Sequence, residues 1–70
     1  MVDEKLIERN FTHHPPKGNQ VGRYQVIRST AKDLALLIND ACPESREASL
    51  ALTKLEEAVM WANAAIARNE

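Results

Sequence analysis

Two stretches of this chain carry apolar residues at alternating steps of three and four, with almost nothing between them. Tyr24, Ile27, Ala31, Leu34, Ile38 and Ala41 form the first set, and Ala48, Leu52, Leu55, Val59, Ala62 and Ile66 form the second. Such spacing gathers each set into one stripe of a helix, the seam of a heptad pattern. The link around Cys42 is only a few residues long, so the second helix must return antiparallel to the first. The spacing predicts helices over 20–41 and 43–69. Pro43 suits a first helical position, where its missing N–H costs nothing. Glu44 and Glu47 then suit the positive end of the helix dipole.

Ahead of the hairpin lies an arm, residues 1–19. A short helix from about Asp3 to Arg9 is expected, with Asp3 as its cap. Seven residues do not hold a helix alone in water, so Leu6 and Ile7 must lie on something. The stretch N-F-T-H-H-P-P-K-G, Asn10 to Gly18, then breaks regular structure. It sets one of three aromatic residues beside both histidines. The expected fold class is all-α: one domain of 70 residues, a short N-terminal helix plus an antiparallel two-helix hairpin.

A chain this small buries only about 60% of its unfolded surface. Its remedies are disulfides, a metal or self-association. Cys42 is the only cysteine, so no internal disulfide forms. One Cys and two adjacent His do not complete a zinc site, and no metal or other cofactor is expected. Self-association is the favoured remedy, and the apolar residues support it. Beyond the seams stand Val26, Leu36, Leu37, Leu50, Ala51, Ala58, Met60, Trp61, Ala64 and Ala65. A helix apolar nearly all round is covered on more than one side. Met60, Trp61, Ala58 and Ala65 are therefore expected at an interface between copies, with Trp61 as its anchor. The competing use of Trp61 is to pack under the N-terminal arm.

The lone cysteine and the lack of a leader or long apolar run lead us to expect a cytoplasmic protein with no membrane partner. Charge is uneven: residues 1–32 carry a formal +3 and residues 33–70 carry −4. Four cations and no acid fall between Thr12 and Lys32. An acidic second half speaks against coating DNA or RNA, whereas a local positive field suits a small anion. No nucleophile elbow, metal-ligand spacing, P-loop or dinucleotide fingerprint is present, so an enzyme is not expected. Phe11, His13 and His14 offer planes for a base. Arg23, Arg28 and Lys32 offer charge for phosphate, the last two four apart on one helix face, and Thr30 offers a hydroxyl. Arg68, in the last turn of the third helix, returns to the same end of the hairpin. The plainer alternative for the histidines is a turn held by backbone hydrogen bonds.

Several of these residues together resemble a known family. Asn10-Phe11 with His14 and Pro16, the motif Y-x-x-I-R at Tyr24–Arg28, and the run from Cys42-Pro43 through S-R-E to M-W-A-N-A-A-I-A-R-N are similar to small phage proteins that defeat the CBASS defence. These are the sponges called anti-CBASS protein two, whose hairpin domain is shared with an anti-Thoeris sponge. The resemblance implies a non-enzymatic homo-oligomer, a hexamer, acting in the cytoplasm of the infected bacterium. It implies that cyclic oligonucleotide messengers are held away from their effector. One pocket, between paired subunits, would take cyclic dinucleotides of the 3′,3′-cGAMP type through His13 and Arg28, with Phe11, His14 and Lys32 nearby. A second, where three subunits meet, would take cyclic trinucleotides through Thr30 and Arg68. His13 stands where a tyrosine is expected in relatives, a smaller plane that titrates near neutral pH. Two other functions remain open to the residues alone: a helical adaptor working through Trp61, and an RNA-binding hairpin.

Overall fold

A computed structural model describes residues 3–70 and contains three helices and no strand among them. Helix α1 spans Glu4–Phe11, α2 spans Gln20–Ala41 and α3 spans Arg46–Asn69. The first turns of α2 lie beside the last turns of α3, where Arg23 pairs with Glu70. The two long helices therefore run antiparallel, about 33 and 36 Å in length at 1.5 Å per residue.

Each end has a local cause. Asp3 caps α1, its Oδ1 accepting from the Lys5 N–H at 3.0 Å. That helix runs two residues past the expected end, so Asn10 and Phe11 are helical and the elbow begins at Thr12. Side chains close the extra turn: the Thr12 hydroxyl donates to the Glu8 carbonyl, and His14 Nε2 lies 2.7 Å from the Arg9 carbonyl. Orphan carbonyls at a helix end are thereby satisfied. Helix α2 ends where the Cys42 N–H bonds the Ile38 carbonyl at 3.0 Å. Cys42 is extended, as a residue before proline must be.

The expected start of α3 at Pro43 is corrected to Arg46, with Ser45 as cap. Ser45 Oγ accepts from the Ala48 N–H at 3.1 Å and donates to the Pro43 carbonyl at 3.0 Å. A hydroxyl satisfies an orphan N–H, which proline cannot do. Glu44 consequently lies outside the first turn, while Glu47 remains in it.

The seams meet as their spacing requires. On α3, Ala48, Leu52, Leu55, Val59, Ala62 and Ile66 are all half-buried. On α2, Tyr24, Ile27, Ala31 and Ile38 are half-buried, but Leu34 and Ala41 are exposed and Ala35 takes up the stripe. A straight helix drifts from a strict seven-residue repeat, and one step of the seam slips. No apolar residue is fully buried among the described residues. The single buried residue among those described is polar, Gln20, at 4% exposure.

Candidate functional site

Where the elbow, α2 and the end of α3 converge, polar groups set the geometry. Gly18 has φ +57°, the left-handed region that favours glycine, and reverses the chain toward α2. The Gln20 N–H then donates to the Lys17 carbonyl, while Gln20 Oε1 accepts from the Lys17 N–H, both at 3.1 Å. From its other end, Gln20 Nε2 donates to Glu70 Oε1 at 3.3 Å. Arg23 grips the same carboxylate with two N–H groups, one at 2.8 Å from Oε2. The Arg23 bonds, then the Gln20 bond, hold the Glu70 carboxyl well below its ordinary value of 4.5, at about 2. Its carboxylate in turn raises the Arg23 guanidinium. Arg23 is thus occupied by the fold, leaving Arg28 and Arg68 as the cations that line the space beyond.

That space is an open cleft of about 490 Å³. The elbow contributes Thr12, His13 and His14, and α1 contributes Asn10. Tyr24 and Arg28, one turn apart, form the α2 wall, and Asn63, Ala64, Ala67 and Arg68 form the α3 wall. Neither Arg28 nor Arg68 has an ion-pair partner among the described residues. The cleft therefore joins two unpaired guanidinium groups to a phenol and two imidazoles within a single chain. That arrangement complements an anion carrying flat rings.

The family of the chain is decided by its match to the model for the Acb2/Tad1 hairpin domain, which extends over residues 3–67. The chain belongs to that family. Membership implies a sponge-type anti-defence role, as the resemblance in the sequence implies. No curated protein and no solved structure matches the chain.

Against this family background, the residues expected to bind are distributed over three surfaces. His13, His14, Arg28 and Arg68 share the cleft, as the antiparallel return of the third helix leads one to expect, whereas the family resemblance assigns Arg68 to a separate pocket. Phe11 is 86% exposed and lies off the cleft walls. Lys32 joins Arg28 along a second groove of about 420 Å³, floored by Ala31, Ala35, Leu52, Leu55 and Val59. Thr30 lies in a third groove of about 400 Å³ with Val26, Leu34 and Ala58, and within one chain it does not meet Arg68.

The four expected interface residues also divide. Met60 lines the Lys32 groove, Ala58 the Thr30 groove, and Ala65 a hollow with Trp61. Trp61, 62% exposed, shares that hollow with Arg9 and Asn10 of α1. It therefore faces the same hollow as the arm and still offers most of its surface. Tyr24, Asn10 and Asn63 are cleft residues that the sequence reading assigned elsewhere or passed over. Tyr24 had a signal, since it precedes Arg28 by one turn. Asn63 had another, as the lone polar residue in M-W-A-N-A-A-I-A.

Proposed function

We propose that the chain binds and sequesters cyclic oligonucleotide messengers without chemical change, and so blunts a host defence of the CBASS type. The observation that carries this reading is the cleft in which Arg28 and Arg68, both unpaired, stand beside His13, His14 and Tyr24. A cyclic dinucleotide presents two phosphates and two bases. Guanidinium forks match the phosphates, and aromatic faces match the bases. Cyclic trinucleotides are the second ligand class, with Thr30 and Arg68 as their contacts. Because Thr30 and Arg68 lie on different surfaces of one chain, a trinucleotide pocket using both requires contributions from separate copies.

The assembly is proposed to be a homo-oligomer, a hexamer. A compact monomer of 7.8 kDa exposes about 4,400 Å², whereas this chain exposes 5842 Å². The excess of roughly 1,400 Å² approaches two standard interfaces at about 800 Å² per partner. Second copies of the same chain are the proposed cover, seated on the apolar grooves that flank the hairpin.

Calorimetry with 3′,3′-cyclic dinucleotides and with cyclic trinucleotides tests the reading. Arg28→Ala is expected to weaken dinucleotide binding at least about tenfold, given the strength of charge-assisted bonds. Arg68→Ala is expected to weaken trinucleotide binding by a similar factor. Unchanged affinities in both variants would remove the assignment, and no binding of any cyclic nucleotide to the parent would remove the function.

A further inference from the structure

The chain itself orients the ring of His14. Its Nε2 faces the Arg9 carbonyl oxygen at 2.7 Å. A carbonyl oxygen only accepts, so Nε2 must carry the proton and donate. In the neutral imidazole the other nitrogen, Nδ1, is then an acceptor. No donor meets Nδ1 among the described residues, and it is not among the buried unpaired atoms. His14 lines the cleft. On the same walls Arg28 and Arg68 carry charge suited to phosphate, which leaves His14 Nδ1 as an unmet acceptor beside them.

We propose that His14 reads the ligand's base, accepting an N–H through Nδ1, so that a base carrying an N–H donor, such as the exocyclic amino group of adenine, is needed for tight binding. This rests on the cleft being a cyclic-nucleotide site. A site that offers an acceptor rejects an analogue with no donor to give it, because the acceptor is then left unmet. The Arg9 carbonyl of α1 holds the ring in place, and His13, Tyr24, Arg28 and Arg68 line the walls around it.

Calorimetry on the full chain at about pH 8 compares three ligands: 3′,3′-cyclic di-AMP, its analogue with purine in place of adenine, and its 2′-deoxy analogue. Loss of the amino group is expected to weaken binding about tenfold. Loss of the ribose hydroxyl is expected to leave affinity nearly unchanged. In His13→Asn the amino preference should persist. His14→Asn, with helix content checked by circular dichroism, should lack the preference. The proposal is overturned if the purine analogue binds as tightly as the adenine ligand. It is equally overturned if the 2′-deoxy analogue is the one that loses affinity. When all three bind alike, only the role of His14 falls. When none binds, the nucleotide reading of the cleft falls first.

Discussion

Glu70 shows how much a single side chain can organise at the open end of the hairpin. It accepts from Arg23 and Gln20, and Gln20 in turn engages Lys17 at the foot of the elbow. Its carboxyl titrates at about 2 in the folded chain, below its ordinary 4.5. A depressed carboxyl favours folding while it is ionised. The contribution is complete above about pH 4.5 and drains away as the pH falls through about 2. Thermal melts across that window should show the parent losing stability more steeply than Glu70→Gln. Salt should shrink the difference, because the pair is solvent-exposed. Parallel curves for parent and variant would show that the pair does not act through charge. None of this was legible in the sequence, where Arg23 counted as one more cation for phosphate. A partner 47 positions away follows from the antiparallel return, but which cation takes the carboxylate depends on side-chain reach. His13, His14, Arg28 and Arg68 were legible as a group because rings and charge recur at one end of the hairpin. Tyr24 was claimed by the seam, since a tyrosine serves with its flat face and its hydroxyl at once.

At the scale of elements, the helices were readable because their apolar period is long and regular. Their ends were less so, because ends are settled by single hydrogen bonds. The start of α3 turns on the Ser45 hydroxyl, and a proline two residues earlier is a strong competing signal. Ser45→Ala should cost about 1 kcal/mol, the usual value for losing such a cap, measured by urea unfolding. Ser45→Asn should restore most of it. Gly18→Ala is a cleaner probe of the elbow. A Cβ there would meet no atom within 4 Å, so the whole penalty comes from the positive φ, about 1–2 kcal/mol. A stability loss with no change in ligand affinity would mean that the elbow regains its shape on binding. Helix α1 extends through Phe11 because Thr12 and His14 reach back to cap it, a closure that the pattern of Pro and Gly could not announce.

Taken whole, the molecule is extended for its size. Its Cα radius of gyration is 15.4 Å, against about 11 Å for a compact domain of this length. The thinnest dimension, 13 Å, is little more than one helix across. On the proposed assembly, light scattering gives a mass several times 7.8 kDa, and the melting temperature rises with concentration. Met60→Asp and Trp61→Asp, which act on different grooves, should reduce the mass by different steps. A parent that runs as a monomer with a dilution-independent melt would overturn the assembly. The sequence announced surplus apolar surface but not its partition into separate grooves, since neighbouring residues on a helix point about 100° apart.

The best-sheltered residue in the described chain is an amide, Gln20, placed at the pivot between elbow and hairpin. Greasy contacts can slide and repack by degrees, but directional bonds either hold or break. An arm fastened this way loosens only when those bonds break, so Gln20→Leu should speed amide exchange at Lys17 and Gln20 while the middles of α2 and α3 keep their protection.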